Sequence, residues 1–276
     1  AFVGATAAAG GLALLADLGS THAEDLRFSG FVTILTYSAT MANAFLLATI
    51  FFCWSPSRKW SILCFVCGVL HLEGIIMNAT RAALVALLMG IVVVVFLARG
   101  HRLRLLLWLS PFLVAAPFAL QGDLGARFWE TRWELFDNGE GMSQRRIMWT
   151  AAGRMYAEHP VLGVGPGNFR PELDAMYEDG RMEGFPEVNA EHQQAHSSFM
   201  QVAATTGSLG LFAMLWWFGA LFWRLWRQPA RYRVENIVAL ASLALFLGFS
   251  LGDTSLRNSR LTAMMAACVG AGLAGA

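Results

Sequence analysis

The sequence predicts an all-α polytopic membrane protein, on three observations. Apolar runs close to the length of a membrane span recur along the chain. Of its residues 56% are hydrophobic and only 14% charged. The basic residues between the runs gather on alternate connections. A soluble domain of this size carries far more charge. Backbone groups cannot go unpaired in lipid, so helices are the economical reading of such runs. A net charge of +1 argues against a nucleic-acid partner.

The runs fall at about 1–18, 31–53, 60–78, 82–98, 105–120, 204–223, 235–252 and 260–276, which gives about 7–8 transmembrane helices. The domain reading is 1–120 for the first helices, 121–203 for one large loop and 204–276 for the last helices. Both ends read as helices cut part-way, so a larger polytopic protein is expected. Cys64 and Cys67 form a CxxC inside an apolar run with no second pair, which favours helix packing over redox or metal chemistry.

The connections set the orientation. Arg58 and Lys59, then Arg99, Arg102 and Arg104, then Arg224, Arg227, Arg231 and Arg233 occupy three connections that hold no acid. By the positive-inside rule these face the cytoplasm, so the connections around Arg27, Arg81, 121–203 and Asp253 face outward. The long one holds 13 of the 19 acids and seven arginines, the mixed charge of an exported loop. Trp54, Trp60, Trp108, Trp223 and Trp226 are expected at headgroup level as an aromatic belt.

A loop this long needs internal structure. ARFWETRWELF (126–136) suits an amphipathic helix lying on the bilayer surface. SQRRIMWTAAGRMYAEHP predicts a helix with Ser143 as N-cap, ending before Pro160. Arg145 and Arg146 in its first turn oppose the helix dipole. They read either as partners of nearby acids or as an anion site shared with the helix N-terminus. In HPVLGVGPGNF (159–169), glycines alternate with Val164 and Pro166, a tight turn that lets backbone approach something closely. No strand precedes it and no GK[ST] closes it, so it is not a nucleotide loop. The stretch 170–191 reads as acidic and mobile.

His192 and His196 stand four apart, as in zinc sites, but position 193 is Gln and no third His or Cys lies nearby. Metal binding and a purely structural histidine stay open. The favoured reading makes His196 a proton acceptor or substrate contact at the mouth of the membrane. His71 and Glu73 sit at membrane depth, where function and buried pairing are equal alternatives.

The series RFSGF (27–31), NATRAALVAL (78–87), RRIMW (145–149), HPVLGVGPGNF and AHSSFMQVAATTGSLGL (195–211) resembles the O-antigen ligase and polymerase superfamily, the lipopolysaccharide O-antigen ligases above all. The resemblance implies a GT-C-like glycosyltransferase of the Gram-negative inner membrane. Its large loop would face the periplasm, and its donor would be an O-antigen on undecaprenyl diphosphate. By position the family histidine falls on His196, with Ser197 where Asn is usual and Gln194 where a His precedes. The family's loop arginine falls on Arg145, four before Trp149, with Arg146 an equal claimant. Arg81 matches the arginine that opens a span, and Arg27 matches an R-x-x-G pattern more weakly.

Chemistry on such a donor needs a partner for the charge growing on the diphosphate and an acceptor for the attacking hydroxyl's proton. Arginine suits the first, because its fork matches phosphate oxygens. Histidine suits the second. The expectation is a metal-independent, cofactor-free, inverting transfer to lipid A–core oligosaccharide. His196, Arg145 and Arg146 would be catalytic, and Arg81, Arg27 and Ser197 would bind substrate. The chain lacks a DxD-like acidic pair for a metal clamp. Membrane lipids are the remaining partner. A polymerase or a protein O-oligosaccharyltransferase would use nearly the same groups. A secondary transporter is the alternative from another class, but no paired halves are evident.

Overall fold

The computed structural model describes residues 34–55, 57–77, 81–119, 144–188, 194–228 and 233–274. Among them are nine α-helices, one 3₁₀ turn and no strand. In order they are α1 (Ile34–Trp54), α2 (Arg58–Met77), α3 (Arg81–Leu97), α4 (Arg102–Ala119), α5 (Gln144–Glu158), α6 (Phe169–Glu178), α7 (Ser198–Arg227), α8 (Val234–Gly252), the turn Ser255–Arg257, and α9 (Ser259–Ala274). Four stretches, Thr36–Trp54, Arg58–Ile76, Ser198–Arg227 and Val234–Gly252, are long and apolar enough to cross a membrane. Ala82–Leu97 and Ser259–Ala274 are shorter apolar helices. The run 1–18 and the amphipathic segment 126–136 lie outside the described residues, as does Ser143.

The chain divides into two compact units. One comprises 1–128, 222–249 and 258–276, the other 129–221 with 250–257. In the first, α1 is the central helix and contacts α2, α3, α4 and α9. Its surface from Tyr37 to Ile50 is almost wholly buried. The hydrophobic effect does not drive helices together in lipid, so small residues and polar contacts hold such a bundle. Ser242 Oγ donates to Asn43 Oδ1 at 2.9 Å, and Asn258 Nδ2 donates to Thr36 Oγ1 at 2.5 Å, which ties α1 to α8 and to the start of α9. Arg104 Nη1 donates to the carbonyls of Cys53 (3.2 Å) and Ser55 (2.9 Å). A cation thereby satisfies carbonyls at the C-terminal end of α1, where the helix dipole favours it. His71 is fully buried in α2.

One member of the expected aromatic belt is elsewhere. Trp108 is fully buried rather than turned outward as a belt residue would be. Its ring lies within 6 Å of Phe45, Phe52, Phe65 and Phe112 centroid to centroid. A Cβ on Gly68 would sit 2.4 Å from Trp108 Cη2, so the missing side chain of α2 makes room for the indole. Helical phase places this tryptophan inward, because its neighbours Leu106 and Leu107 take the outer face. Trp60 and Trp223, by contrast, are well exposed.

The second unit is built on α5 and α6. Ile147, Met148, Ala151, Ala152 and Met155 of α5 pack with Phe169, Leu173 and Met176 of α6 and with Met182, Val188, Ala195 and Ala204. The stretch expected to be mobile is therefore corrected in its first half. Phe169, Leu173 and Met176 recur at helical spacing, which buries one face of a ten-residue helix. The turn after it is clamped by Arg181, which reaches Glu158 at 2.5 Å, Glu172 at 2.9 Å and Asp179 at 2.7 Å. Two of the acids that suggested softness in the sequence, Glu172 and Asp179, are partners of this arginine, and Asp174 pairs with Arg170 at 2.7 Å.

Candidate functional site

The polar elements of the second unit converge on the turn 194–197 that leads into α7. Ser197 has the N-cap position, since its carbonyl accepts the first helical bond, from Gln201 N at 2.9 Å. His196 just before it has φ of +49°, the sole positive φ of a non-glycine residue among those described. Histidine enters this left-handed region more readily than most residues, yet at a cost that the surroundings must hold.

The surroundings do hold it. Gln201 folds back so that its Oε1 accepts the Ala195 N–H at 2.8 Å. Ser198 donates its N–H (3.0 Å) and its hydroxyl (3.1 Å) to the carbonyl of Asp253. Ser197 Oγ donates to the carbonyl of Ser250 at 3.5 Å. The Thr254 hydroxyl donates to Gln194 Oε1. Leu256 N–H donates to Ser198 Oγ at 3.4 Å, and Ser250 and Ser255 share a hydroxyl contact of 2.5 Å. Every neighbour of His196 in this turn is thus pinned, chiefly by the segment 250–256. The histidine itself is half-buried.

The same segment reaches toward α5. The Asp253 carboxyl is buried, and burial pushes its pKa up. A hydrogen bond from the Thr254 backbone and the charge of Arg145 pull it down without cancelling that rise. Arg145 therefore acts on the residue whose carbonyl holds the α7 N-terminus. Arg145 and Arg146 are the second and third residues of α5, and both are half-buried. Trp149 follows Arg145 by one helical turn on the same face. Its indole N–H is buried with no hydrogen-bond partner among the described residues.

The glycine-rich turn is built into α7. The helix opens at Gly207 (φ 64°, ψ −162°). Through this break the segment 160–165 exchanges backbone bonds with it. Val164 N–H donates to Ala204 O (2.9 Å) and Gly165 N–H to Thr205 O (3.0 Å), while Ser208 N–H donates to Pro160 O (2.8 Å) and Leu209 N–H to Val161 O (3.3 Å). A Cβ on Gly163 would lie 2.4 Å from the Thr205 carbonyl carbon, and one on Gly207 would lie 2.3 Å from that of Val161. The close approach expected of these glycines is backbone to backbone.

Of the residues singled out by sequence, His196, Ser197, Arg145 and Arg146 belong to this one unit. Ser197 is buried in a structural hydrogen bond. Arg81 opens α3 in the other unit, as expected of the start of an apolar helix. Arg27 and His192 lie outside the described residues. Sequence reasoning gave no role to Asp253, Thr254 and Ser255. The available signal was a short polar stretch, DTS, on an outward connection between two apolar runs.

Apolar helices together with a module of short polar helices carrying this histidine turn define a multi-pass membrane protein with a polar site. The O-antigen ligase family model matches residues 68–215, just over half of the chain. The chain belongs to that family, which brings with it a glycosyltransferase-like, ligase or polymerase type of function on polysaccharide and lipid-linked substrates. The match takes in Arg81, Arg145, Arg146, His196 and Ser197 and ends before Asp253. No curated protein matches the chain.

Proposed function

We propose that the protein transfers O-antigen polysaccharide from undecaprenyl diphosphate to lipid A–core oligosaccharide at the periplasmic face of the Gram-negative inner membrane. The proposal includes a GT-C-like arrangement of 7–8 spans with the segment 121–203 as its periplasmic module. The observation that carries it is the pinned turn, which holds His196 in a left-handed conformation beside a segment electrostatically linked to Arg145. In the reaction an acceptor hydroxyl oxygen attacks C1 of the donor sugar while its proton passes to the His196 imidazole. The C1–O bond breaks, its electron pair leaves on undecaprenyl diphosphate, and C1 inverts. Arg145, with Arg146 and Arg81, balances the charge that grows on the leaving group. Arg27 is a further donor contact. Ser197 serves by holding the turn.

Asp253 gives grounds for choosing Arg145 over Arg146 as the principal diphosphate ligand. Arg145→Ala is expected to lower turnover about 10²–10³-fold, the loss typical of one preorganised donor. Asp253→Asn keeps the shape but removes the carboxyl charge that acts on Arg145, and a loss of up to about 10²-fold is expected if that charge positions the guanidinium. The sign for stability is opposite. A raised carboxyl pKa means the folded state binds the proton more tightly than the unfolded chain. That contribution is full below the ordinary carboxylate range and is lost as pH rises through the raised value. Asp253→Asn cannot ionise, so it should lose less stability than wild type as pH rises. If the two residues act together, the double variant turns over no more slowly than Arg145→Ala alone.

The acceptor is tested by offering membranes that contain the protein a labelled lipid-linked glycan with lipid A–core, a growing glycan, or a serine-bearing polypeptide in turn. Label on lipid A–core supports the ligase. Label on the glycan alone or the polypeptide alone replaces it with a polymerase or a protein O-oligosaccharyltransferase.

A further inference from the structure

Helix α7 has 30 residues, whereas a bilayer core takes about 20. Its last turn carries Arg224 and Arg227. Its first nine residues, Ser198–Thr206, include Gln201, Thr205 and Thr206, which bond within the unit. From Leu209 onward the helix shows a lipid-like surface, with Leu209, Phe212, Leu215, Trp216 and Trp217 all strongly exposed. The change from polar to apolar comes at the Gly207 break.

The segment 160–165 crosses the helix at this same level. Val161 is 64% exposed and Leu162 67% exposed, although both are large aliphatic residues. They do not stand apart from the exposed stripe of α7, because Leu209 N–H donates to the Val161 carbonyl. Close approach at Gly163 and Gly207 presses the turn against the helix backbone, so the pair is fixed in place. Two apolar side chains rigidly held, and continuous with the lipid-facing surface of a spanning helix, match an interfacial anchor. A protein partner would need a surface that also accommodates the α7 stripe, whose length and composition suit a bilayer instead.

We infer that the Val161–Leu162 tip inserts into the outer leaflet of the bilayer beside α7. It is a lipid-binding surface that fixes the level of the second unit at the membrane boundary. The inference rests on the membrane character of α7 and is independent of the reaction proposed for the site.

Leu162 is replaced by photoreactive p-benzoylphenylalanine in the full chain, with Val161, Leu215 and Glu183 replaced singly for comparison. After illumination of native membranes, adducts are identified by mass spectrometry. Positions 161 and 162 are exposed, so the replacements leave the core intact. The expected result is phospholipid acyl-chain adducts at 161 and 162 at a yield comparable to Leu215 and several-fold above Glu183, which lies in a polar turn. Yields equal to that of Glu183 overturn the inference, as do adducts at 161 and 162 dominated by a second copy of the chain or another protein. Both outcomes are read without any transfer assay.

Discussion

His196→Ala is expected to reduce glycosyl transfer about 10²–10⁴-fold, the contribution of a positioned general base, with the protein still present in membranes at its normal level. The retained level is expected because much of the turn's support is independent of the imidazole. The turn is held by Gln194, Ala195, Ser197 and Ser198 through groups outside the His196 side chain. Removing the imidazole also relieves none of the core, since His196 takes no part in the apolar cluster of α5 and α6. Loss of activity with full accumulation therefore separates chemistry from folding. Quantitative transfer by the variant, measured as labelled product per unit of immunodetected protein, would remove the histidine from the mechanism.

Gly207→Ala is the second large effect, and it acts on stability. Its backbone (φ 64°, ψ −162°) lies where essentially only glycine is comfortable. The added methyl would also meet the Val161 carbonyl carbon at 2.3 Å, backbone that cannot swing aside. Strain and displacement of the threaded segment together are expected to cost about 3–5 kcal/mol. Gly167→Ala isolates the first contribution. Its φ is 88°, yet a Cβ there meets nothing within 4 Å, so about 1 kcal/mol is expected. Thermal unfolding of the detergent-purified variants checks the order, and equal losses at both positions would mean that the backbone exchange through α7 contributes little.

Much of this architecture is legible in the sequence because membranes impose strong patterns. Runs of apolar residues gave the helices from α1 to α4 and from α7 to α9 to within a few residues, except at the start of α7. There the expected span began at 204, but the helix starts at Ser198. Hydropathy misses those first residues because Ser198, Gln201 and Thr205 are polar and form the joint with the 250–256 segment. The end of α5 before Pro160 was readable from proline chemistry. The fold of 169–178 was overlooked because Glu172, Asp174 and Glu178 interrupt its apolar residues, although Phe169, Leu173 and Met176 carried the helical period. Trp108 shows the opposite error. A tryptophan near a run's end suggests an interface, and only packing against Gly68 reveals that it is interior.

The site was half legible. Histidine and arginine types on one side of the membrane suggested anion and proton chemistry, and their order along the chain carried the resemblance to the ligases. Asp253 could not be found this way, because it joins the site through long-range contacts across some 55 residues of chain. Ser197 was expected to touch substrate from its position in the family motif, and its buried hydroxyl donates to the Ser250 carbonyl at 3.5 Å.

The central claim is a direct, metal-independent displacement at C1 by an alcohol whose proton is taken by a side chain. Its most direct measurement is the anomeric configuration of the glycosidic bond formed by the purified protein in excess chelator, determined by NMR on product from a donor of known configuration. The account predicts inverted product at an undiminished rate. Retained configuration, or activity lost to chelator and restored by a divalent ion, would contradict it.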